Sequence, residues 1–174
     1  GVAAGLGATM LLPMDMVLAA ESARFAFVFA RRGIVPEAAS TWFLPRRVGV
    51  STAAEWMMTG RKVSATEAKE AGLVRSVHPD DELLPAAYEL AREIVENTAP
   101  VAVGMIRQML WQFAGSAHPM DAHRVDSRLN FELGGTADVV EGITSFLEKR
   151  PPQFPGRLPD DAPPSYPWFT DPDF

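Results

Sequence analysis

The chain is 174 residues long, 47% hydrophobic and 22% charged, which is the profile of an ordinary globular domain. It contains no cysteine, which excludes a disulfide framework, a thiolate metal site and a cysteine nucleophile; three histidines (His78, His118, His123) leave little for zinc. A net charge of -6, a pI near 5.1 and no long basic run argue against nucleic acid as a partner.

The chain starts at Gly1 without an initiator methionine, and its glycine-rich opening reads as the middle of a longer protein. That opening is apolar but has no basic n-region, and Pro13 and Asp15 interrupt it. It therefore reads as neither a signal peptide nor a membrane span, and the expected location is the cytoplasm. Gly5-Leu6-Gly7-Ala8-Thr9 ahead of Met10, Leu11 and Leu12 reads as a loop feeding a helix N-terminus. Pro13 should end that helix near Asp15, which fastens the turn. Met16–Ala19 and Arg24–Phe29 read as strands. In Gly33-Ile34-Val35-Pro36-Glu37 a turn opens a helix, with proline suited to its first position and Glu37 to the positive end of its dipole.

Beyond residue 50 the pattern is helical. Thr52 with Glu55 and Ser64 with Glu67 have capping-box spacing, and Gly60 and Gly72 stand where C-terminal caps belong. A short strand is expected over Leu73–Val77. Amphipathic helices follow at about Asp81–Asn97, Pro100–Phe113, Met120–Leu133 and Thr136–Lys149. Residues 151–174 hold eight of the fifteen prolines, so this tail is either disordered or laid extended over a neighbour. Tyr166, Trp168 and Phe169 favour docking of part of it. The chain thus divides into residues 1–80, 81–150 and 151–174.

One ordered series runs through the first of these. It comprises Gly1-Val2-Ala3-Ala4-Gly5-Leu6-Gly7, Asp15, Ala19, Ala23-Arg24-Phe25, Gly33-Ile34-Val35-Pro36, Leu44-Pro45-Arg46-Arg47-Val48-Gly49, Thr59-Gly60-Arg61, Ala65, Glu67-Ala68 and Ala71-Gly72-Leu73-Val74. The series resembles the crotonase (enoyl-CoA hydratase/isomerase) superfamily from Gly1 to about Pro79. A weaker echo falls at Glu141-Gly142, Phe146 and Glu148-Lys149-Arg150. The resemblance implies an α/β fold, a spiral of ββα units whose later turns lie here. C-terminal helices that pack across a trimer, often a dimer of trimers, would follow. It also implies an acyl-CoA thioester substrate with coenzyme A as its handle, and no metal or redox cofactor.

Family chemistry runs through an enolate-like species whose charge must meet preorganised donors. By its place in the glycine triplet, the Leu6 N–H matches one of two family oxyanion donors, although such a loop equally serves close packing of a helix on a strand. The two glutamates of family hydratases match Thr9 and Phe29, which disfavours two-glutamate hydration. Glu37 is similar to the single acid of the enoyl-CoA isomerase branch, which takes a proton from C2 and returns it to C4. The resemblance therefore implies isomerisation of 3-enoyl to 2-enoyl thioesters, with Glu37 and Leu6 as catalytic positions. Gly5, Thr9, Phe29 and Trp42 would face the substrate, and Lys149 the CoA phosphates. The alternatives are a hydratase or hydrolase using one carboxylate, or a non-catalytic homologue that binds an acyl-CoA or a protein. Glu37 also suits any first helical turn, Lys149 any last one, and Arg31-Arg32 and Arg46-Arg47 read as surface charge.

Overall fold

The computed structural model describes residues 1–170, and the last four positions of the proline-rich tail lie outside the described residues. The chain forms two compact units, Gly1–Glu89 and the remainder from Leu90. The first contains β1 (Val2–Ala4), α1 (Leu6–Thr9), β2 (Leu18–Ala20), β3 (Arg24–Ala26), α2 (Ser40–Val48), α3 (Val50–Thr59), β4 (Val63–Ser64), α4 (Ala65–Glu70) and β5 (Ser76–His78). α5 (Leu83–Asn97) crosses the boundary, and α6 (Pro100–Phe113), α7 (Pro119–Leu133) and α8 (Ala137–Glu148) follow.

The strands fall into two sheets. β1 pairs parallel with β3 (Ala3 opposite Phe25), and β4 joins β3 antiparallel (Val63 opposite Phe25). β2, although next to β3 in sequence, pairs parallel with β5 in a separate sheet (Ala19 opposite Val77). Successive circuits of the chain thus lay strands side by side, as in a spiral. The strands are shorter than the apolar runs predict. Phe27 and Phe29 are both buried after β3 has ended, so they fill the core instead of alternating across a sheet. Leu73 and Val74 likewise plug the core from a turn, both N–H groups donating to Ala68 O, and β5 starts only at Ser76. The core gathers Leu12, Phe25, Phe27, Leu44, Trp56 and Val63, with the Phe27 and Trp56 rings stacked at 6.4 Å.

The two capping boxes have different fates. Ser64 Oγ accepts the Glu67 N–H at 3.1 Å and caps α4. The Glu67 carboxylate does not close the box; it takes Arg61, whose guanidinium holds it below the usual carboxylate range. Thr52 caps nothing. Only Gly49 (φ 80°) separates α2 from α3, so α3 begins at Val50 and Thr52 lies inside it. A side chain at Gly49 would be strained in that left-handed region.

In the second unit α6 opens on Pro100 and α7 on Pro119, each at a position whose missing N–H costs no helical bond. The tail is ordered through residue 170 against its own unit. Gly156 N–H donates to Asp138 Oδ1 at 2.8 Å, and the Ser165 N–H and hydroxyl both donate to Glu132 Oε2. Trp168 stacks on Phe113 at 6.5 Å. No described helix is long and apolar enough to cross a membrane.

The start of the tail is fastened electrostatically. Arg150 donates twice to Glu141 (2.7 and 2.8 Å) and the Gln153 N–H donates to Glu141 Oε1 at 2.6 Å. The Arg150 hydrogen bonds, then the Gln153 N–H, hold the Glu141 carboxyl down at about 2. A depressed folded value means that this contribution is complete above the unfolded value of about 4.3 and disappears as pH falls through about 2. Amide-exchange protection at Gln153 should therefore fall between about pH 5 and 2. In Glu141→Gln it should start low and stay flat; equal profiles would refute the clamp.

Candidate active site

The site grows from the turn between β1 and α1. Gly5 makes this turn at φ 55° and ψ -124°, a conformation open to glycine and strained for other residues. Its N–H donates to Ala26 O at 3.0 Å, tying the turn to the end of β3. Its carbonyl accepts from Ala8 and Thr9 at 2.9 and 3.0 Å, which starts α1. Leu6 and Gly7 are the first residues of this helix, so their N–H groups have no acceptor within it. The Leu6 side chain is 64% exposed and points away from the core.

Thr9 closes α1 and is completely buried. Its Oγ1 lies 2.5 Å from Glu37 Oε1 and 3.2 Å from Leu6 O. A hydroxyl carries one proton, and the shorter, charge-assisted contact with the carboxylate takes it. The buried threonine thus draws the tip of Glu37 to the end of the helix that follows the glycine turn. Leu6, Gly5, Thr9 and Glu37 come together.

Glu37 does not open a helix, contrary to expectation. Residues 34–37 belong to no helix or strand, Ala38 (φ 54°) and Ala39 (φ 51°) are left-handed, and α2 begins at Ser40. Pro36 is therefore not a first helical residue, and the dipole argument for Glu37 fails. Left-handed alanine costs about 1–2 kcal/mol per residue. Holding the turn, Ser40 donates both its hydroxyl (2.6 Å) and its N–H (3.1 Å) to Glu37 O. Glu37 is exposed in this chain, with only its tip held inward.

The two aromatic positions do not form a common wall. Phe29 is 5% exposed and belongs to the core cluster, its carbonyl accepting from Arg32 and Ile34. Trp42 is 39% exposed on α2, edge-on to Phe43 and covered by the Arg46 guanidinium at 3.8 Å. Lys149 belongs to the second unit, where it ends α8 in the left-handed conformation (φ 55°).

Arg47 is structural where surface charge is expected. Its Nε donates to Leu12 O at 2.9 Å and a terminal N–H to Met14 O, pinning the segment after α1 to the end of α2. Burial pushes the guanidinium below its ordinary value, while the nearby Asp15 charge opposes the shift. Ser40, Leu44 and Arg47 follow at steps of four and three, so all three share one helix face. That spacing is the sequence signal for both Ser40 and Arg47. Among the described residues, no group of three or more His, Asp or Glu side chains is placed to hold a metal ion.

A spiral that feeds parallel strands into two sheets, with a glycine turn and one acid at its edge, defines an α/β fold of the crotonase class. Solved structures share it. A probable enoyl-CoA hydratase/isomerase from Mycobacterium abscessus superposes with TM-score 0.86 at 34% identity over 90% of this chain and 64% of its own. An enoyl-CoA hydratase from Bacillus anthracis gives 0.85 at 35% identity over 90% and 60%. A profile described as Enoyl-CoA hydratase/isomerase matches residues 1–157. The chain belongs to the enoyl-CoA hydratase/isomerase family, within the crotonase superfamily.

Among curated relatives, an enoyl-CoA hydratase of Alternaria alternata is 41% identical over 155 residues, 88% of this chain and 52% of that protein. The 1,2-epoxyphenylacetyl-CoA isomerase of Escherichia coli is 37% identical over 164 residues, 90% of this chain and 59% of its own. The chain thus spans little more than half the length of these relatives.

Proposed function

We propose that this chain carries the proton-shuttling part of an acyl-CoA site that isomerises 3-enoyl to 2-enoyl thioesters. The observation that carries the reading is the 2.5 Å contact between Thr9 Oγ1 and Glu37 Oε1. It sets one carboxylate beside the turn whose first N–H groups are free to polarise a thioester oxygen. Glu37 takes the proton from C2, electron density moves onto the thioester oxygen opposite the Leu6 N–H, and the same carboxylic acid returns the proton to C4. The Thr9 hydroxyl keeps the acid in place. The shift is redox-neutral and needs no metal or redox cofactor, and coenzyme A serves as the handle of the substrate. Lys149 meeting the CoA phosphates is part of the same proposal, as are Gly5 admitting the thioester closely and a cytoplasmic setting. A homotrimer or dimer of trimers is the proposed assembly. It is supported by the exposed apolar stripe Val140, Ile143 and Leu147 on α8.

Hydration is the competing reading, favoured by a hydratase among the relatives. The protein is to be incubated with 3-enoyl-CoA in deuterated and ordinary water and the products separated. The expected product is 2-enoyl-CoA, with no 3-hydroxyacyl-CoA formed. Formation of the 3-hydroxy product ahead of the isomer would overturn the proposal in favour of hydration, and absence of any conversion would overturn it altogether.

A further inference from the structure

We infer that Ser40 is a positioning residue for the Glu37 carboxylate, acting through the Ala38-Ala39 turn without touching substrate. The carboxylate is held at its tip by Thr9 Oγ1 at 2.5 Å and at its root by Ser40, which donates Oγ (2.6 Å) and N–H (3.1 Å) to Glu37 O. Thr9 and Ser40 are both 0% exposed, so water does not compete for either hydroxyl. Between the two holding points lie two alanines that both occupy the left-handed region. The side chains of these alanines offer no reason to stay there, and each has a more favourable well on the other side of φ = 0. The second donor on Glu37 O opposes that relaxation. Without the Ser40 hydroxyl, Glu37 O keeps only the Ser40 N–H, while the Ala39 carbonyl still accepts from Trp42 and Phe43. Relaxation of Ala38 or Ala39 then rotates the peptide after Glu37 and swings its side chain off α1. Ser40 lies on the same face of α2 as the fully buried Leu44, so the core fixes the hydroxyl.

The catalytic meaning of this role rests on the proposed base function of Glu37; the positioning itself is measurable without turnover. The test is a double-mutant cycle, Thr9→Val with Glu37→Ala, read from denaturant unfolding of the chain with Ser40 present and with Ser40→Ala. With Ser40 present the two substitutions should couple by about threefold or more in the unfolding constant, the scale of contacting residues. With Ser40→Ala the coupling should vanish. Adding Ala39→Gly to Ser40→Ala should restore it, because glycine adopts the left-handed backbone without the strain that drives alanine out of it. In the isomerisation assay Ser40→Ala should lower kcat about tenfold at unchanged KM, the signature of a misplaced group and not of lost binding. Undiminished coupling in Ser40→Ala, or no recovery with Ala39→Gly, would overturn the inference. Ser40-dependent coupling with full turnover in Glu37→Gln would leave the positioning intact and remove only the base assignment.

Discussion

Glu37→Gln is expected to lower kcat for 3-enoyl-CoA isomerisation by about 10²–10⁴-fold, the range associated with a positioned acid–base group. The amide keeps the size of the side chain and its acceptor for Thr9 Oγ1, so the turn at Ala38-Ala39 and the burial of Thr9 should persist. What disappears is the capacity to accept and return a proton. KM should therefore change little, and deuterium should no longer enter C2 or C4 when the thioester is incubated in deuterated water. Steady-state kinetics with mass analysis of the recovered thioester measure both. Undiminished exchange in the variant would assign the base elsewhere. Among the described residues, no second carboxylate is hydrogen-bonded to Thr9, the position that matches a hydratase glutamate. In the proposed mechanism a single acid makes both proton transfers, so the expected loss is large.

Leu44→Ala has the largest expected effect on stability, about 2–5 kcal/mol by chemical denaturation. Leu44 is 0% exposed in the middle of α2 and sits in the core cluster with Phe25, Phe27 and Trp56. Truncation removes its transfer energy and leaves a cavity that a helix pinned at both ends cannot collapse into. The pins are Ser40 on Glu37 O and Arg47 on Leu12 O. Truncating Leu110, 69% exposed on α6, serves as the comparison and should change stability by less than about 0.5 kcal/mol. A loss at Leu44 no larger than at Leu110 would contradict the packing described for α2.

The long helices were legible because they carry their own signals. Apolar residues at helical spacing set the extent of α6, α7 and α8 to within a residue, and Pro100 marks a start that needs no tertiary help. The strands were less legible. Three-residue strands in a spiral are defined by partners from other circuits, and Phe27 and Phe29 lengthen the apolar run without extending β3. Family resemblance picked out the Gly5–Thr9 turn and Glu37, and the structure brings them together. The local reading misled on how Glu37 is held, because Pro36-Glu37 has the chemistry of a first helical turn. No local property of Ala38 or Ala39 announces a left-handed backbone. Arg47 was hidden for another reason: its acceptors are backbone carbonyls, which leave no trace in side-chain patterns. The tail was open between two states because its order depends on Asp138, Glu132 and Phe113, each far from it in sequence.

The pairing of β2 with β5 constrains how the first unit reaches its final form. β2 leads the chain into its sheet early, yet its partner strand is the last of the unit to be laid down, after α2, α3, β4 and α4. Until Ser76–His78 arrive, Leu18–Ala20 present an unsatisfied apolar edge, and closing so distant a parallel ladder is entropically slow. A protease cutting just ahead of Ser76 would release a sticky fragment instead of a smaller domain.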